Sequence, residues 1–95
     1  MTLSLDWKVP GGKLLRLFAR IEGGQVVELR VAGDFFAHPE EAFDAAEASL
    51  LGIAASDLPS QARIAFAHPG LRLFGLSPEA LGLALEALLA TQDHA

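Results

Sequence analysis

The sequence predicts a small α+β domain in which an antiparallel β-sheet is covered by two or three helices. In the first third of the chain apolar residues alternate with polar ones, which is typical of half-buried strands. From residue 38 onward, helix-start signals are followed by apolar residues at helical spacing. The length of 95 residues, with 52% hydrophobic and 20% charged residues, fits one globular domain over residues 1–95.

Three segments of the first third have the strand pattern. Residues 13–21 and 26–32 predict a hairpin around Gly23-Gly24. Residues 2–9 predict a third strand, and an extended arm is the alternative because Pro10-Gly11-Gly12 ends the segment abruptly. The apolar residues of this third strand occupy every second position: Leu3, Leu5, Trp7 and Val9.

The register of the hairpin follows from its apolar faces. A two-residue loop at Gly23-Gly24 places odd residues opposite even ones, so the two apolar sets fall on opposite faces of the sheet. We therefore predict a three-residue loop, Gly23-Gly24-Gln25, with a glycine in a G1 bulge. The resulting cross-strand pairs are Ile21 with Val27, Ala19 with Leu29 and Leu17 with Val31.

Helices are predicted in the remaining two thirds. The first begins at 38–41 and ends near Gly52, and a weaker second helix covers 58–67. Ser77-Pro78 opens the third helix, with serine as the N-cap. The apolar stripe of this helix is wider than one small core needs, so it is either a core helix or a helix that also covers a partner. The leucines assigned to that partner surface are Leu81, Leu85 and Leu88.

Composition excludes several classes of function. The net charge of −5 argues against a nucleic-acid binder, and the absence of cysteine excludes a disulfide scaffold and any thiolate chemistry. No apolar run is long enough to span a membrane, and the N-terminus lacks the pattern of a signal peptide, so we expect a cytoplasmic protein. The basic side chains concentrate in residues 1–30, which predicts either a solvated sheet face or a face for an acidic or nucleotide-bearing partner.

No catalytic or metal-binding constellation is present in the sequence. The three histidines lack metal-ligand spacing, and the serines lack a recognisable histidine and acid partner. The segment 10–14 lacks the spacing and the hydroxyl residue of a phosphate-binding loop. The acidic residues of the first helix fit an exposed face. We therefore expect no catalytic residue and no metal site in this chain.

Two segments are unusual for a purely structural role. Residues 8–14 place adjacent glycines beside two lysines, and residues 33–36 place two phenylalanines in succession at a strand end. Successive strand residues point to opposite faces, so we expect Phe35 and Phe36 to split. The hairpin register predicts that Lys13 and Asp34 lie at one edge of the sheet, close enough for an ion pair.

These segments resemble the C-terminal domain of bacterial lipoate-protein ligases, in the form encoded as a separate accessory subunit. The motifs are Lys8-x-Pro10-Gly11-Gly12-Lys13-Leu14, Gly33-Asp34-Phe35-Phe36-x-x-Pro39-Glu40-Glu41 and Glu47-x-x-Leu50-x-Gly52. The resemblance covers residues 8–52 and, more loosely, residues 75–79 with the helix that follows. Either of the first two motifs alone is weak, and their combination at this spacing is specific.

The resemblance implies a SufE/NifU-like fold and a role in lipoylation. Sulfur chemistry does not carry over, because this chain has no cysteine. The implied role is that of an accessory subunit, required with a large catalytic subunit for ATP-dependent activation of lipoate to lipoyl-adenylate before transfer to a lipoyl-domain lysine. The complex then uses ATP, Mg²⁺ and lipoate, and this chain alone binds none of them. The alternative is a non-catalytic lipoate-binding or iron-sulfur-assembly-like adaptor.

The resemblance also implies which residues lie near the partner or the nucleotide. Lys8 and Lys13 are expected either to neutralise phosphate charge or to hold the large subunit closed. The full set is Lys8, Pro10, Gly11, Gly12, Lys13, Gly33, Asp34, Phe35 and Phe36.

Overall fold

The computed structural model describes residues 1–11 and 13–91, so Gly12 and His94 lie outside the described residues. The described residues have the predicted α+β class, and the segment predicted as either a strand or an arm is a strand. The elements, in chain order, are β1 (Thr2–Lys8), β2 (Leu14–Glu22), β3 (Gln25–Gly33), β4 (Phe36–His38), α1 (Glu40–Ser49), a 3-10 turn (Ala55–Asp57), α2 (Leu58–Ala65), β5 (Arg72–Phe74) and α3 (Pro78–Ala90).

The three long strands form an antiparallel sheet in the order β1-β2-β3, and β4 pairs with β5 in a separate two-stranded sheet. The odd-numbered apolar residues of β1 and β2 face the helices, and the core contains Leu15, Leu17 and Ala19. Helix α3 packs against α2, β1 and β2. The opposite face of the three-stranded sheet carries Arg16, Arg20 and the other polar side chains.

The hairpin confirms most of the predicted register and corrects its loop. Leu17 pairs with Val31 and Ala19 with Leu29, as predicted. Nearer the turn, however, Ile21 pairs with Val26, so the loop is the two-residue Gly23-Gly24 and the prediction of three residues is wrong. Both glycines have positive φ, 59° and 78°, which a two-residue hairpin turn of this kind requires. A β-bulge within the strands, with Val27 as the extra residue, restores the odd-to-odd pairing.

The outer edge of β3 is partly paired by the chain itself. The backbone N–H of Val26 donates to Ile53 O at 2.9 Å, and Gly52 N–H donates to Val26 O at 2.7 Å. Further along the strand, Val31 N–H donates to the Glu47 carboxylate of α1 at 2.7 Å. These contacts supply the strand edge with hydrogen-bond partners and fix α1 against the sheet.

Candidate functional site

Two motif segments, the described residues of 8–14 and residues 33–36, converge at one end of the three-stranded sheet, where β1 leads into β2 and β3 leads towards β4. The third motif, residues 47–52, lies along the outer edge of β3 instead. We call the end of the sheet at which the two segments converge the motif end. In the described part of the chain it comprises Pro10, Gly11, Lys13, Gly33, Asp34, Phe36, Phe74 and Gly75.

Gly33 brings two backbone segments into direct contact. Its φ is +148°, and a Cβ atom built on it would lie 2.1 Å from Leu14 O. The neighbouring Asp34 N–H donates to the same carbonyl oxygen at 2.9 Å. Only glycine fits here, because an added side chain collides with backbone that the sheet holds in place. The close approach sets the direction in which the chain leaves β3.

Lys13, Asp34 and Gly75 meet at one point of the motif end. A Cβ atom built on Gly75 would lie 3.3 Å from Lys13 Cε and 3.6 Å from Asp34 O. The lysine side chain therefore passes directly over the glycine. The prediction that Lys13 and Asp34 lie at the same end of the sheet is confirmed. The expected ion pair between them is absent: every ion pair among residues 1–11 and 13–91 involves an arginine.

The two successive phenylalanines split, as the strand geometry predicted. The Phe35 ring packs on Phe43 with a centroid distance of 5.5 Å, and Phe43 continues to Phe66 at 5.2 Å. The ring of Phe36 instead points outward and is 78% exposed. It pairs across β4–β5 with Phe74, which is 54% exposed. The motif end therefore presents two neighbouring aromatic rings to solvent.

An apolar groove lies beside the motif end, between the end of β1 and the first turns of α3. It encloses about 330 Å³. The Ser77 Oγ caps α3 by accepting from Ala80 N–H at 3.0 Å, as the serine-proline signal predicted. The residues that line the groove are Trp7, Val9, Pro10, Ser77, Glu79, Ala80 and Leu83.

The structure corrects the assignment of Leu81, Leu85 and Leu88 to a partner surface. All three are 0% exposed and belong to the core of this chain. The wide apolar stripe of α3 is needed because the helix packs against both α2 and the sheet. The exposed leucine of this helix is Leu83, at 53%, and it lines the groove.

Lys8 lies at the end of β1, opposite Leu14, and both lysine side chains are exposed. No three histidine or carboxylate side chains converge as metal ligands within the described ranges. Nor is any helix in this part of the chain long and apolar enough to cross a bilayer. The motif end offers two exposed aromatic rings, an exposed ammonium group on each lysine and closely packed backbone. These groups can contact a partner and place positive charge beside it.

A chain of very similar fold occurs in the structure of an archaeal lipoylation system, a bipartite lipoate protein ligase and its E2 lipoyl domain from Thermoplasma acidophilum. The two chains are 27% identical and superpose with a TM-score of 0.75. The match covers 90% of this chain and 94% of the other. The chain resembles a domain of a lipoate ligase system. No family model and no curated protein matches it.

The resemblance suggested by the motifs is thereby confirmed. It rested on residues 8–52 and, more loosely, on residues 75–79 with the helix that follows, whereas the structural match covers 90% of the chain. Sequence reasoning missed the strand pair β4–β5, which brings Phe74 and Gly75 to the motif end. The sequence signal for β5 was the four-residue segment Leu71–Phe74, which is too short to show a strand period.

Proposed function

We propose that this chain is the accessory subunit of a two-part, ATP-dependent lipoate-protein ligase. In this proposal a separate large subunit carries the catalytic site, and the two chains together activate lipoate to lipoyl-adenylate before its transfer to a lysine of a lipoyl domain. The observation that carries the proposal is the match over 90% of the chain to part of a bipartite ligase structure. The convergence of the described residues of 8–14 with residues 33–36 at one end of the sheet also supports it.

The motif end is the proposed docking surface for the large subunit. Phe36 and Phe74 are adjacent on one face of β4–β5 and are mostly exposed. Aromatic side chains contribute strongly to binding when a partner buries them, because each removes a large apolar area from water. The close contact between Gly33 and Leu14 fixes the point at which the chain leaves β3 towards Phe36, which favours a preorganised surface.

Lys8 and Lys13 are the proposed electrostatic contribution of this chain to adenylation. The reaction of ATP with the lipoate carboxylate forms lipoyl-adenylate and releases pyrophosphate, and it gathers negative charge on the phosphates. Preorganised cations near that charge lower the barrier by about 3 kcal/mol, roughly a hundredfold in rate. Lys13 suits this role because its side chain is held over Gly75 and its ammonium group is in no ion pair with a described residue. In the proposed complex, ATP, Mg²⁺ and lipoate bind with the large subunit.

The proposal is tested by reconstitution. The large subunit, lipoate and MgATP are incubated with and without this chain, and pyrophosphate release is measured. We expect release only when both chains are present. The double variant Lys8→Ala/Lys13→Ala should lower the rate about a hundredfold at saturating chain, without changing the circular dichroism spectrum.

A charge-matched control separates a local effect from a general one. Arg20→Ala/Arg30→Ala removes two cations from the outer face of the same sheet, nearer the Gly23-Gly24 turn, and should leave the rate close to that of the wild type. Pyrophosphate release by this chain alone would contradict an accessory role. An unchanged rate in the lysine variant would show that the two lysines take no part in adenylation.

A further inference from the structure

The outer edge of β1 carries a row of backbone groups that the chain does not pair. Met1 and Ile21 exchange hydrogen bonds of 2.7 and 2.8 Å at one end of the β1–β2 ladder. At the other end, Val9 N–H donates to Lys13 O at 2.7 Å. Hydrogen-bonded pairs alternate along an antiparallel ladder, so the odd residues of β1 bond to β2. The backbone groups of the even residues point away from the sheet: Thr2, Ser4, Asp6 and Lys8.

The two edges of the sheet are therefore different. The edge of β3 is paired in part: residues 52 and 53 hydrogen-bond to Val26, and Glu47 accepts from Val31. At the edge of β1, no backbone hydrogen bond to another described residue involves the outward N–H and C=O groups, and the four side chains are exposed. An unpaired strand edge is a template for another strand.

The core-facing side of β1 is also incompletely covered. Leu5 and Trp7 are only partly buried, and the apolar groove beside Trp7 is lined by the exposed Leu83. At the opposite end of the same strand, Met1 is 58% exposed. The strand thus has an apolar groove at one end and an exposed apolar side chain at the other.

We propose that β1 pairs antiparallel with β1 of a second copy of this chain, which joins the two sheets across a twofold axis at Leu5. In this register Ser4 lies opposite Asp6 of the second copy, and Thr2 lies opposite Lys8. All of β1 takes part, and the even residues form about eight backbone hydrogen bonds, two for each pair. This inference is independent of the proposed function, and the pairing involves no residue of β4 or β5.

Two features select this register. The outward-facing residues are all even-numbered, so they must lie opposite one another, which excludes an odd shift. A shift of one pair in one direction places Asp6 opposite Asp6, and like charges directly opposite destabilise a sheet. A shift in either direction also leaves one of the four even residues without a partner, so the centred register forms the most hydrogen bonds and no like-charge pair.

The centred register also makes the apolar surfaces complementary. It places Leu5 against Leu5 on the core-facing side, and Leu3 beside Trp7 of the second copy. It brings the exposed Met1 of each copy next to Val9 and towards the groove of the other. The same surface is used twice, as a twofold interface requires.

The experiment is sedimentation equilibrium of the full chain from micromolar to millimolar concentration. We expect a reversible monomer–dimer equilibrium. Ser4→Lys places a positive charge opposite Asp6 twice in the dimer and should lower the dissociation constant about fivefold, whereas Ser4→Asp should raise it about fivefold. Ser4→Pro removes only an outward-facing N–H group and should leave the chain folded and monomeric.

Circular dichroism of each variant verifies that the fold is unchanged. A wild-type chain that stays monomeric throughout the concentration range would overturn the proposal. Equal effects of Ser4→Lys and Ser4→Asp on the dissociation constant would also overturn it, because they would show that Asp6 of the second copy does not lie opposite residue 4. A monomeric chain whose Ser4 variants weaken binding of the large ligase subunit would assign the edge to that subunit instead. None of these outcomes depends on the adenylation assay.

Discussion

The two ends of the three-stranded sheet are built differently. At the turn end, around Gly23-Gly24, residues 52–55 hydrogen-bond to β3 and Val26 is fully buried. At the motif end, two aromatic rings and two lysines are left exposed above tightly packed backbone. The chain completes its own contacts at the turn end, whereas the motif end carries surface that contributes little to its own stability. This difference separates the structural half of the molecule from the half proposed to bind.

Glycine has a different purpose at each end. Gly23 and Gly24 have nothing within 4 Å of an added Cβ, so the turn requires them only for their positive φ. Gly33 has both a positive φ and the Leu14 carbonyl in the space of the missing side chain. The sequence shows glycines at both ends and does not distinguish the two purposes.

The largest expected effect on the free energy of unfolding follows from the different roles of glycine at the two ends. Gly33→Ala should destabilise the domain by about 3 kcal/mol or more, since the new methyl group collides with backbone. Gly24→Ala, the matched control at the turn end, should cost about 1 kcal/mol, the price of a positive φ alone. Urea unfolding of both variants measures the difference. Equal losses would show that the motif end is no more tightly packed than the turn.

Substitution of Glu47 measures how much its hydrogen bond with the β3 edge contributes to stability. Glu47→Ala leaves the Val31 N–H without its acceptor and should cost about 1.5 kcal/mol. Glu47→Gln keeps an oxygen acceptor and should stay within about 0.5 kcal/mol of the wild type. Both variants should bind the large subunit normally, because Glu47 is not among the residues that form the motif end. Stability from urea unfolding and affinity from calorimetry check the two statements, and a binding defect in Glu47→Gln would contradict the separation of the two regions.

The smallest expected effect is the change in stability with pH. Burial raises the pKa of the Glu47 carboxyl above its ordinary value, although the hydrogen bond from Val31 opposes the shift. The folded state therefore holds this proton more tightly than the unfolded state does. The contribution of Glu47 to stability is largest below its ordinary pKa and declines as pH rises through the raised one. The stability difference between wild type and Glu47→Gln, measured by urea unfolding across acidic pH, should follow this direction. A difference that grows with pH would contradict it.

Much of the sheet was predictable from alternation, because a period of two fixes which residues share a face. Parity required Leu17 opposite Val31, and the structure agrees. Parity did not reveal whether the extra residue lies in the loop or in the strand, so the bulge at Val27 was missed. The strands β4 and β5 have three residues each, which is too few to show a period. Sequence motifs therefore located most of the motif end, but not its second aromatic ring.

The stripe on α3 shows another limit. Its leucines indicated an apolar surface, and composition alone did not tell which neighbour covers it. The sheet and α2 both pack on the helix, so Leu81, Leu85 and Leu88 are buried in the core. Solvent exposure, which is known only from the fold, distinguishes Leu83 from these three buried leucines.

The central claim is that the motif end binds the large subunit of a lipoate-protein ligase. Its most direct test is a calorimetric titration of that subunit with Phe36→Ser, using Ile64→Ser as the matched control, since Ile64 is 68% exposed on α2. Phe36→Ser should weaken binding about thirtyfold, close to 2 kcal/mol, while leaving the unfolding midpoint unchanged. Ile64→Ser should change neither quantity. Wild-type affinity in Phe36→Ser would contradict the claim, because it would show that the large subunit binds elsewhere or not at all.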